Sequence, residues 1–144
     1  MVLSSVYLSE EIDNMILEIA ENKGTIKGLI ASKNKLMHNI DKLMRQRAKR
    51  GDMLCETQML DYRDFSEFYE EESAILTSYI ARLKKKMGHG RLRQEILKPR
   101  ADLMTLHKGL EAIVTLQERT IAVLSGMVNM AEQTLNVLTE TKSP

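Results

Sequence analysis

The stretch that decides the fold is residues 12–43, IDNMILEIAENKGTIKGLIASKNKLMHNIDKL. Ile12, Ile19, Ile26 and Ile40 stand on a seven-residue grid, and Met15, Leu29, Leu36 and Leu43 fall three residues after grid points. Apolar residues alternating at spacings of three and four form one seam on an α-helix, the a and d columns of a heptad. Three polar residues interrupt it: Asn22 in the d column, Lys33 and Arg47 in the a column. Polar residues in such a seam fix register and partner number at some cost in stability.

Working outward, Ser9 is the expected N-cap, and a first helix runs over about 10–50. Arg45, Arg47, Lys49 and Arg50 crowd its end, where cations favour the negative pole of the helix, and Gly51 is the expected C-terminal cap. These roles account for Arg50-Gly51-Asp52 without an adhesion motif. Asp52 is expected to cap a second helix over about 53–87, whose apolar residues Tyr62, Phe65, Tyr69, Leu76, Ile80, Leu83 and Met87 recur at helical spacing. Gly88-His89-Gly90 breaks it. A third helix is predicted over about 91–140, kinked at Pro99, because Leu92, Ile96, Leu103 and Leu106 keep step across the proline; a helix that starts at Pro99 is the alternative.

Loops this short make neighbouring helices antiparallel. The prediction is an all-α, up-down-up bundle of three long helices with heptad packing, elongated, the helices roughly 50–75 Å long. Composition agrees. The chain has 144 residues, enough for a single domain, with 43% hydrophobic residues, 28% charged residues, two Pro and seven Gly. So few turn formers argue against an all-β domain, and ten Met with no Trp leave an aliphatic, adaptable core.

Charge is segregated along the chain. Residues 56–72 hold seven acidic side chains against one basic; residues 82–100 hold eight basic against one acidic. Folding at Gly51-Asp52 brings Lys33 near Glu70 and Arg45 near Glu56 and Asp61, and Glu10, Glu11, Asp13, Glu18 and Glu21 beside the basic block. Internal neutralisation is therefore the favoured reading. A basic tip that binds polyanions through Arg82, Lys84, Lys85, Lys86, Arg91 and Arg93 is the competing one. It contains no aromatic to stack on bases, so nucleic acid or an anionic membrane surface serves equally as a phosphate-bearing partner.

The third helix is apolar over a broad arc. Leu103, Leu110, Gln117, Leu124, Ala131 and Leu138 form its a column, with Leu106, Ile113 and Met127 in the d column. A fold-back at His89 sets Met53 opposite Ser125, so residues 126–140 overhang the hairpin. Met127, Val128, Met130, Ala131, Leu135, Val137 and Leu138 are then expected to be covered by a second chain, a homo-oligomer or a helical partner protein. A hinge at Gly126 that folds the tail back is the alternative.

No catalytic set emerges. His38, His89 and His107 form no metal-ligand pair, Cys55 lacks a spaced histidine, and no glycine-rich phosphate loop is present. His107 reads as a residue at the edge of the apolar seam. No metal, cofactor or small-molecule substrate is expected. The absence of a signal peptide, membrane-spanning run and glycosylation sequon, with a single Cys, predicts an intracellular, cytoplasmic protein. The functional expectation is a non-enzymatic oligomerising scaffold or structural subunit acting through helix–helix contact, with polyanion binding as the alternative.

Overall fold

A computed structural model describes residues 5–98 and 102–140. Four α-helices follow in chain order: α1 Ser5–Arg50, α2 Glu56–Met87, α3 Arg91–Leu97 and α4 Leu103–Thr139. A 3-10 turn, Gly88–Gly90, joins α2 to α3. The fold is an all-α helical bundle in which α1, α2 and α4 carry the packing.

The chain divides into two compact units, Met1–Ile26 with Thr77–Ile121, and Lys27–Leu76 with Ala122–Pro144. In the first, Ile12, Met15 and Ile19 of α1 meet Leu83 of α2 and Leu110, Ile113, Val114 and Leu116 of α4. In the second, Ile40, Phe65, Ala131 and Leu138 form the buried centre, with half-buried Leu36, Leu43, Tyr62, Tyr69, Met130 and Leu135 packed around it. The seam read from residues 12–43 is the core-facing side of α1. Ile12, Met15, Ile19 and Ile40 are buried, and Ile26, Leu29, Leu36 and Leu43 are half-buried. Each side chain fully removed from water in this way contributes about 1.5–3 kcal/mol before conformational entropy is charged against it.

The three polar interruptions of the seam all have partners. In the first unit Asn22 Nδ2 donates to Gln117 Oε1 at 3.3 Å, and Gln117 Nε2 donates to the Ile19 carbonyl at 3.0 Å. In the second unit Lys33 Nζ sits 5.8 Å from the Tyr69 ring centroid, a cation–π contact one residue from the Glu70 pairing expected. Arg47 donates from Nη1 to the Leu138 carbonyl and from Nη2 to the Met53 carbonyl, both at 3.1 Å.

The helix ends explain where the sequence reading slipped. α1 begins at Ser5, so Ser9 lies inside the helix rather than at its cap. The apolar face simply extends one turn further, through buried Leu8, four residues before Ile12. The end of α1 is as expected: Gly51 has φ 70, its N–H donates to the Ala48 carbonyl, and the Asp52 N–H donates to the Arg47 carbonyl. This is the paired closure that a left-handed glycine permits. Asp52 is not the cap of α2, which starts four residues later. There the Cys55 N–H donates to Gln58 Oε1 at 3.1 Å, the back-reaching half of a capping box.

The expected third helix is two helices. α3 stops at Leu97, and Lys98 is extended at φ −60, ψ 148. A residue before proline is pushed out of the α region by the ring, which ends a helix there. The expected kink at Pro99 lies outside the described residues. α4 then starts afresh behind Asp102, whose Oδ1 accepts the Thr105 N–H at 3.1 Å.

This restart corrects the expected overhang. The turn, α3 and the segment after it consume the residues that a tight fold-back at His89 assigned to α4. Gln58, not a residue beyond the start of α2, therefore lies against Val137 and Glu140. Met127, Ala131 and Leu138 are 0–1% exposed within the one chain, and Val128, Met130, Leu135 and Val137 are half-buried. Their cover comes from α1 and α2 of the same chain, so the argument for a second chain over this segment falls. The Gly126 hinge is not used either: α4 runs unbroken through it, and a Cβ there would meet Phe68 Cζ at 3.9 Å, an ordinary contact.

Candidate anion-binding cleft

A cavity of about 880 Å³ opens in the first unit between the end of α2, α3 and the start of α4. Its floor is apolar: Leu92 of α3 and Leu106, Leu110 and Ile113 of α4. Leu110 and Ile113 also belong to the core on their other side, so this floor is fixed by packing. Gly109 lies in the same wall, and a Cβ there would meet nothing within 4 Å.

The rim is cationic. Arg82, Lys85 and Lys86 come from the last turns of α2, Arg91 from the first turn of α3, and Lys98 from its end. All five are exposed. Two carboxylates face them, and each has a local partner. Lys98 Nζ donates to Glu95 Oε1 at 2.9 Å, and Asp102 is held by Thr105. The Thr105 hydroxyl and backbone N–H hold the Asp102 carboxyl below its usual range, with smaller help from the Met104 N–H and Lys108. Arg91 Nη1 also donates to the Lys85 carbonyl at 3.0 Å, closing an orphan carbonyl of α2 and fixing α3 beside it. Arg82 lies over the Tyr79 ring at 6.0 Å.

The turn makes this placement. His89 and Gly90 both adopt left-handed backbone, φ 57 and φ 72, so the chain reverses within three residues. The reversal brings the basic end of α2 against the basic start of α3. Of the six polyanion contacts read from the sequence, Arg82, Lys85, Lys86 and Arg91 line the cleft; Lys84 and Arg93 point elsewhere on the exposed surface. The apolar floor was not read as part of a site. Leu106, Leu110 and Ile113 look like any core stripe, and their spacing carries no signal of a cleft.

Other candidates are weaker. A cavity of about 710 Å³ at the α1–α2 connection has Arg47 and Gln58 in its wall, both already bonded to the end of α4. His107 stands where the sequence put it, at the edge of the apolar face. Its Nε2 is buried 3.2 Å from Glu11 Oε1 without hydrogen-bond alignment, and its Nδ1 is 3.7 Å from Glu111 Oε2. Among the described residues no group of three or more His, Cys, Asp or Glu side chains is placed to hold a metal ion. No described helix is long and apolar enough to cross a membrane. No protein-family model, curated protein or solved structure matches the chain.

Proposed function

We propose that this chain is a non-enzymatic helical-bundle protein that docks on anionic membrane surfaces through the cationic cleft of its first unit. The observation that carries the reading is five cations ringing an apolar floor. Basic side chains draw a protein to anionic lipid, each contributing about 1 kcal/mol near the surface, and apolar groups among them then enter the interface. Leu97 and Met104, exposed beside Lys98 and Asp102, are such groups. A nucleic acid would use the same charges but gains nothing from the apolar floor, and none of the described lining residues is aromatic. The lone thiol, Cys55, fits work in a reducing, cytoplasmic setting.

Co-sedimentation tests this. The chain should pellet with phosphatidylcholine vesicles that contain phosphatidylserine and stay in solution with pure phosphatidylcholine. Salt should weaken the binding, and Lys85→Glu with Lys86→Glu should abolish it. Equal recovery on both vesicles, or retention on RNA alone, refutes the assignment.

A second reading, the helical scaffold, has one observation in its favour. In the second unit a groove of about 340 Å³ runs between α1 and α2, lined by Met37, Ile40, Tyr62, Phe65 and Tyr69. Aromatic and methionine side chains in a groove between helices suit a further helix, from another copy or another protein. Light scattering across a concentration series, with Tyr69→Asp as the control, separates this from a monomer.

A further inference from the structure

We propose that the cleft takes a single anionic amphiphile, its alkyl chain on the apolar floor and its phosphate or carboxylate among the rim cations. This rests on the membrane-docking reading and deepens it: the protein would hold one lipid molecule rather than only touch a charged surface.

The cleft is built for both halves of such a molecule. Its volume of about 880 Å³ lies within the roughly 300–1,000 Å³ of sites that enclose small organic ligands. A purely electrostatic contact needs no floor, yet Leu92, Leu106, Leu110 and Ile113 supply one. A free inorganic anion would find charge but leave that floor wet. A neutral hydrocarbon would fill the floor but gain nothing from Lys85, Lys86 and Arg82, which are exposed on the rim. A ligand with an apolar tail and an anionic head uses both surfaces. Gly109 adds a separate observation. It lies among the lining residues on α4 with open space where a Cβ would be, so a large side chain there would project without a clash in the fold itself.

Gly109 also supplies the test, since leucine is a far better helix former than glycine and the variant should keep its fold. Dodecyl phosphate, below its micelle concentration, is titrated calorimetrically into wild-type protein, Gly109→Ala and Gly109→Leu. Inorganic phosphate and dodecyl maltoside serve as the head-only and neutral-head arms. Wild type and Gly109→Ala should bind dodecyl phosphate one to one. Gly109→Leu should bind it at least about ten-fold more weakly, the cost of excluding two or so methylenes from the floor. Both controls should bind far more weakly than dodecyl phosphate. Circular dichroism should show unchanged helicity in all three proteins.

Vesicle binding is measured in parallel. If Gly109→Leu loses dodecyl phosphate but keeps phosphatidylserine vesicles, the cleft is a tail site as proposed. Equal dodecyl phosphate affinity in Gly109→Leu and wild type overturns the tail site. So does vesicle binding with no dodecyl phosphate uptake, which leaves surface docking intact. Loss of both in wild type overturns the inference and the docking reading together. Inorganic phosphate binding as tightly as dodecyl phosphate would make this an anion site with no role for the tail.

Discussion

Asn22 and Gln117 meet inside the first unit, the Asn22 amide donating to the Gln117 side-chain oxygen across 95 residues of chain. Gln117 is 1% exposed and stands in a column where Leu110, Leu124, Ala131 and Leu138 are equally buried. Its amide donates in turn to the Ile19 carbonyl. A polar layer in an apolar column costs stability unless it is bonded, and bonding is possible in one register only. The pair thus aligns α1 with α4.

Gln117→Ala should therefore destabilise the fold by about 2–3 kcal/mol, combining a cavity with lost hydrogen bonds. A double-mutant cycle with Asn22→Ala should return a coupling of about 0.5–1.5 kcal/mol. Urea denaturation monitored by circular dichroism measures both. Additive effects would mean that the pair does not act as a unit.

Gln58 gives a sharper comparison. Its oxygen accepts from the Cys55 N–H, while its nitrogen donates to the carbonyls of Val137 at 3.0 Å and Glu140 at 3.2 Å. Gln58→Ala should cost about 1–2 kcal/mol. Gln58→Glu keeps the acceptor for Cys55 and suits the start of α2, but turns a carboxylate toward two carbonyl oxygens. Amide exchange should accelerate in the last turn of α4 in both variants, and more in Gln58→Glu.

His89 holds φ 57, ψ 31, a conformation that a side chain makes unfavourable by roughly 1–2 kcal/mol and glycine does not. Replacing it with glycine should raise stability, by up to about 1 kcal/mol once the extra freedom of the unfolded chain is subtracted. Thermal unfolding checks the sign. His89→Val, β-branched in the same conformation, should move the transition the other way.

The start of α4 should respond to acid. Thr105 holds the Asp102 carboxyl below its usual value, so the folded protein binds that proton later than the unfolded one. The cap's contribution is complete above the ordinary aspartate range and fades as pH falls through the lowered folded value. Protection of the Thr105 and Leu106 amides, relative to their intrinsic exchange rates, should fall over that interval, and Asp102→Asn should remove the dependence. Protection that is flat with pH in the wild-type protein would refute the capping role.

Much of this was readable in residues 12–43. The seam, its three polar breaks and the Gly51 cap are local consequences of spacing and backbone freedom. The antiparallel run of α1 and α2 followed from one short loop. The partners that Asn22 and Arg47 find on α4, Gln117 and Leu138, were not readable, because the register of α4 depends on how much chain is spent after His89. The restriction that Pro99 places on Lys98 was in the sequence, but unbroken apolar spacing outweighed it. The basic rim was legible as charge. The floor was hidden because Leu110 and Ile113 serve core and cleft alike.

That double service of Leu110 and Ile113 ties occupancy of the cleft to the folding equilibrium. A molecule held in the cleft as proposed would bind only where the core that Leu110 and Ile113 belong to is formed. At a hundred times its dissociation constant it would add about 2.7 kcal/mol to the stability of the native state. The melting temperature would then report such a ligand, and a panel of compounds could be ranked by heating alone, before any of them is known to bind.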